Sequence, residues 1–191
     1  MDVTLAVSVD AFFHEVVTDA LSVVDLDASE PASWYLVGLL GEFAHTRLTD
    51  EPLGMKLVTA SDDPGERVRT LKTVGDTSLY VAGFFAESLS RSLVQVDYYV
   101  GLGQNAYAQL SRSLGAAKGR AIADVYAELA EQFPKFVDVL GAVRKRITVA
   151  EMAATQDVTR LYQIWLRTRD EWVERKLRSL GVLVDPSNDI Q

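Results

Sequence analysis

The sequence predicts an all-α protein, a single-domain bundle of seven to eight helices, from three observations. Apolar residues recur at i, i+3 and i+4 spacing in every long segment, prolines and glycines fall where helices would start or stop, and cysteine is absent, so packing alone must hold the fold. A chain of 191 residues is within the size of one domain. Residues 1–184 are expected to form it, with 185–191, which contain Pro186, Ser187, Asn188 and Asp189, as a mobile C-terminal tail.

Each element has its own signal. After a cap at Ser8 or Asp10, the stripe Phe13, Val16, Val17, Ala20, Leu21 and Val24 defines a first helix, and the polar run from Asp25 to Ser29 ends it. Glu30-Pro31 opens a second, because proline in a first turn gives up no hydrogen bond; its face is Leu36, Leu39, Leu40 and Phe43. Asp50, Pro52 and Gly54 break the chain around a short apolar piece at Leu53 to Val58. Ser61-Asp62-Asp63-Pro64 is the clearest helix start, with acids at the positive end of the dipole. Val68, Leu71, Leu79, Ala82, Phe85 and Leu89 continue its stripe, with a hinge expected at Gly75-Asp76 and close approach of a neighbour at Ala82 and Gly83.

Asp97 should cap a helix carrying Leu102, Ala106 and Leu110, although Leu93 to Val100 also tolerates a strand. From about Lys118 a stripe runs from Ile122 to Ile147, and Pro134 should kink or break it near Gln132. A single last helix, using Val158, Leu161, Tyr162, Trp165, Trp172, Leu177 and Leu180, should stop at Gly181, after which Val182, Leu183 and Val184 fold back.

Charge narrows the function. A net −8 opposes general binding to nucleic acid or anionic membrane, which requires a basic face. The distribution is uneven: residues 1–46 hold eight acids and no Lys or Arg, whereas 144–178 hold nine basic residues against five acidic ones. These ends suit one another within a chain or between two chains, and a protein partner or a homo-oligomer is expected. No basic-then-apolar leader and no apolar run long enough to span a bilayer is visible, which gives an expected cytoplasmic location and no membrane span.

Four patterns bear on chemistry. Glu42-Phe43-Ala44-His45 has the E-x-x-H spacing that projects a carboxylate and an imidazole from one helix face, as in di-iron helical bundles. With Glu15, or with Glu128 or Glu131, these residues would form an asymmetric site for iron, manganese or zinc; the second such motif is missing, because Ala11 precedes His14 at the required position. Tyr80, Tyr98, Tyr99, Tyr107 and Tyr126 crowd the central third with Asp76, Asp97 and Asn105. Buried phenols need partners, so Asp76, Tyr80, Tyr98 and Asn105 are the expected lining of a polar network or small pocket. Gly101-x-Gly103-x-x-Ala106 imitates a dinucleotide fingerprint, but helical spacing where the second strand should be assigns those glycines to helix packing. Trp165 and Trp172, near Arg167, Arg169 and Arg175, lie on the last helix's apolar stripe and read as core.

No Ser-His-acid set and no phosphate loop is present. The sequence therefore favours a non-enzymatic helical interaction or regulatory module acting through a packed surface, with a homodimer as one form it can take. The alternatives are a metal-dependent oxidoreductase built on Glu42 and His45, and a small apolar ligand-binding protein.

Overall fold

The computed structural model describes residues 2–45, 53–58, 63–89, 95–116, 120–153, 158–169 and 171–182, with the side chains of 2–8, 45, 57–58, 116, 152–153, 168 and 172 excepted. Among the described residues there are ten helices, eight of them of seven or more residues, and no strand. They are α1 (Asp2–Val24), α2 (Glu30–His45), α3 (Leu53–Val58), α4 (Pro64–Phe84), α5 (Ala86–Leu89), α6 (Val96–Ala116), α7 (Arg120–Glu131), α8 (Phe133–Ala153), α9 (Val158–Thr168) and α10 (Glu171–Ser179). The region that also tolerated a strand is helical from Val96 onward. The chain divides into two compact units, 1–144 and 145–191.

In the first unit, α4 packs on α6, α6 on α7 and α1 on α2, with α2 also reaching α4 and α7. The link between α1 and α2 is set by Asp25, whose φ of 55° places it in the left-handed region. Asp25 N donates to Ser22 O and Leu26 N to Leu21 O, the paired bonds of a Schellman stop, and Leu26 is buried behind them. Ser29 then caps α2, accepting from Ala32 N at 3.2 Å, and is itself held by Glu128 of α7, which accepts from Ser29 N and Oγ at 2.8 and 2.5 Å. Asp63 caps α4 as its sequence signal requires, accepting from Glu66 N at 2.8 Å, with Pro64 in the first turn.

Two local readings change, the first being the start of α1, which begins at Asp2 and so contains Ser8 and Asp10 rather than being capped by either. The helix expected to hinge at Gly75-Asp76 is unbroken there; the interruption comes at Phe85, between α4 and α5. Gly75 weakens a helix in isolation, yet here it is buried with the Tyr107 ring directly over it, leaving no room for a Cβ. Pro134 acts as its chemistry dictates: Gln132 is a turn, and proline sits in the first turn of α8 where no donor is needed. The first part of α8 lies against α4, where Gly83 admits Leu140, and against α6, where Phe133 reaches Gly103.

The second unit replaces the expected single last helix with two. Arg169 has φ 50°, its N–H closes on Trp165 O at 2.7 Å, and its guanidinium stands 4.5 Å from the Trp165 ring centroid. This left-handed residue ends α9 and lets α10 pack back on it. Leu161 and Trp165 from α9 then meet Val173 and Leu177 from α10 in a small buried core, with Val149 and Val182 at its margin. Gly181, at φ 83°, stops α10 with Gly181 N donating to Arg178 O and Val182 N to Leu177 O, so Val182 folds back as expected. Leu183, Val184 and the tail 185–191 lie outside the described residues.

The α6 glycines make opposite demands. A Cβ on Gly103 would collide with the Phe133 ring and stand 2.9 Å from Ser78 Cβ, whereas no described atom lies within 4 Å of the same position on Gly101. Gly103→Ala should cost about 1–3 kcal/mol through overpacking, while Gly101→Ala should gain about 0.5–1 kcal/mol through helix propensity. Urea denaturation of the two variants checks the pair; equal effects would contradict this packing.

Candidate functional site

The most demanding chemistry in the first unit surrounds Asp76, in the middle of α4 and only 4% exposed. A carboxylate taken from water is costly unless its oxygens are matched by donors. Tyr35 Oη of α2 donates to Asp76 Oδ1 at 2.5 Å, Tyr107 Oη of α6 donates to the same oxygen at 2.7 Å, and Lys72 Nζ donates to Oδ2 at 2.5 Å. Tyr126 of α7 joins with its hydroxyl 3.4 Å from that of Tyr35. Four helices thus converge on one acidic side chain. The rings add edge-to-face contacts, Tyr35 with Tyr126 at 5.4 Å and 79° and with Tyr107 at 6.4 Å and 85°.

Lys72 lies one turn before Asp76, and its half-exposed chain carries the cluster to the surface, where Glu42 Oε2 is 3.8 Å away. Burial alone would lower the Lys72 pKa, but the Asp76 charge and hydrogen bond, helped by Glu42, outweigh it and hold the ammonium above its ordinary range. Burial raises the phenol of Tyr107 well above its usual value, and the adjacent Asp76 charge adds to this. Tyr35 is likewise raised, by burial first, then by Tyr107 and Asp76. Tyr126 is raised by burial against the opposing pull of its Tyr35 bond and Lys72. At neutral pH the phenols of Tyr35 and Tyr107 are therefore proton donors to the carboxylate. Both of its oxygens are occupied, so the arrangement is a clamp between helices rather than a general base facing a substrate.

No family model, curated protein or solved structure matches this chain.

Of the four expected lining residues only Asp76 belongs to this cluster; Tyr107 and Tyr126, named with it in the crowded central third, are there, and Tyr80, Tyr98 and Asn105 are not. Tyr98 is 46% exposed and nine residues from Tyr107, which is half a turn out of phase on α6, and its hydroxyl lies over Gly54. Asn105 is two residues from Tyr107, also on the opposite side, where its Oδ1 accepts from Gln109. Tyr80 shares the general face of Asp76, but its ring is sandwiched between Phe43 at 4.4 Å and Phe84 at 4.5 Å. Two members were not anticipated. Lys72 could have been found from its i, i+4 spacing to Asp76, whereas Tyr35 lies 41 residues away and carries no local signal.

The residues considered for metal are dispersed. Glu42 is exposed beside the Lys72 ammonium, Glu15 is exposed on α1, and Glu128 is committed to capping α2; the His45 side chain lies outside the described residues. His14 stacks on Trp34 with ring centroids 4.5 Å apart. Among the described residues, no three His, Asp or Glu side chains gather as metal ligands.

The raised phenols have a pH consequence. A folded state that keeps a proton which the unfolded chain releases is stabilised below the unfolded pKa, and loses that stability as pH rises above it. Lys72 acts in the same direction as the tyrosines. Stability should therefore be level to about pH 10 and then fall by about 1.4 kcal/mol per pH unit for each of Tyr35 and Tyr107. Tyr107→Phe should remove one such contribution to the slope. Denaturant unfolding across the alkaline range measures this, and a wild-type curve flat to pH about 12 would contradict it.

Proposed function

We propose that this protein is a non-enzymatic helical interaction module that acts through the outward face of α2. The observation that supports the reading is the character of that face: Trp34 is 49% exposed, and one and two turns along, Gly38 and Gly41 have no described atom within 4 Å of the Cβ position. Glycine in a helix interior costs about 1 kcal/mol relative to alanine. On α2 this cost gains no internal packing among the described residues, but it leaves a flat strip beside a large aromatic side chain, where another backbone can approach closely. Tryptophan is also the residue type most enriched among the anchors of protein interfaces. The buried polar groups around Asp76 work inward, holding α2 against α4, α6 and α7 so that the strip is presented on a rigid support.

A photoreactive residue placed at Gly38, expressed in the source cells, should give a discrete cross-linked adduct. The same residue at Asp124, exposed on α7, serves as the control. Adducts that are absent at position 38, or equal at both positions, would contradict the reading. Gly38→Ala should also make the protein more stable by about 0.5–1 kcal/mol while reducing its association.

A further inference from the structure

We infer that the acidic α1–α2 surface is a docking site for the basic α9–α10 hairpin of a second copy of this chain. The inference rests on the interaction-module reading and supplies its partner. Asp10, Glu15, Asp25, Asp27 and Glu30 are all exposed on or between α1 and α2, a region in which residues 1–46 carry no Lys or Arg. Such a surface attracts a cationic partner, and Trp34 of α2, with His14 stacked on one side of its ring and half of its surface exposed, leaves its other side to a guanidinium.

The chain itself contains a segment with the matching chemistry. Residues 158–179 hold six basic side chains against three acidic ones. The apolar faces of α9 and α10 are spent on each other, through Leu161, Trp165, Val173 and Leu177. Their outer faces carry Arg167 and Lys176, both exposed. The hairpin already uses a guanidinium in this way, with Arg169 on Trp165 at 4.5 Å. Each copy carries one acidic face and one basic hairpin, so each can both offer and receive the contact, as a reciprocal pair of copies requires. The net charge of −8 on each copy repels at long range, but at physiological salt the Debye length is about 8 Å, so that repulsion is screened while charges in contact still attract.

Sedimentation velocity on the full chain tests the inference. The wild type should be a dimer at about 0.15 M salt and shift toward monomer at about 1 M, where the screening length falls to about 3 Å. Arg167→Glu with Lys176→Glu should weaken the dimer by about tenfold per residue, and Glu15→Lys with Asp27→Lys should do the same. Each doubly reversed protein, shown folded by its helical circular dichroism, should be monomeric alone. Mixing the two should restore a dimer, because the acidic hairpin of one now meets the basic face of the other. A wild-type monomer at both salts overturns the inference, including one whose stability alone depends on salt, as does a dimer indifferent to both reversals. If the α2 cross-link instead captures a different protein, the second-copy inference fails while the interaction-module reading stands.

Discussion

Burial of the Asp76 carboxylate is the constraint on which the first unit depends. Removing a charge from water carries a penalty of several kcal/mol even after local relaxation. Here it is offset only because α2, α4, α6 and α7 bring their donors to the same place: Tyr35 and Tyr107 on one oxygen, Lys72 on the other, and Tyr126 beside them. An apolar core tolerates some sliding of its helices, but hydrogen bonds near 2.6 Å to one carboxylate do not. The cluster therefore fixes the rotation of each helix about its own axis. That rotation decides which residues of α2 face inward and leaves Trp34, Gly38 and Glu42 outside.

The close packing around the clamp follows from the same requirement. Tyr107 can reach Asp76 only if its ring lies across α4, and Gly75, the residue before the carboxylate, is where that ring passes. One turn of α6 away, Gly103 lets Phe133 and Ser78 close in, so the start of α8 is drawn against the same pair of helices. Ser78 is fully buried there with no hydrogen-bond partner for its hydroxyl among the described residues, a local cost accepted within an otherwise satisfied interior.

Much of this fold was legible because its signals are local. Asp63-Pro64, Pro134 and Gly181 act through backbone chemistry that needs no tertiary partner, and each marks a helix boundary in the structure. Where the decisive partner is distant, local reading fails. Gly75-Asp76 looks like a weak point in a helix until Tyr107 and Tyr35, 31 and 41 residues away from the carboxylate, are placed on it. Glu128, a candidate metal ligand from the sequence, instead holds the Ser29 cap of a helix 99 residues earlier in the chain. The break at Arg169 was hidden for another reason. The left-handed region is normally marked by glycine or asparagine, and an arginine held there by a short bond and by the Trp165 ring gives no such mark. The candidate site was half visible: the clustering of tyrosines about Asp76 could be read from composition, but the choice among them depends on helical phase.

Direct measurement of the clamp's strength is the most searching test of this account. Asp76→Asn keeps the shape of the side chain but removes its charge, and turns its amide nitrogen, a donor, either to the Lys72 ammonium or to the hydroxyls of both Tyr35 and Tyr107. Native-state amide hydrogen exchange of α4, recorded by NMR, reports the stability of the first unit separately from that of the second. The account predicts that the substitution lowers the free energy of exchange by about 3–5 kcal/mol, the usual cost of breaking a buried ionic cluster. It also predicts that amides of α2, α6 and α7 fall together with those of α4. A loss under about 1 kcal/mol, or one confined to α4, would contradict the claim that these helices are held through Asp76.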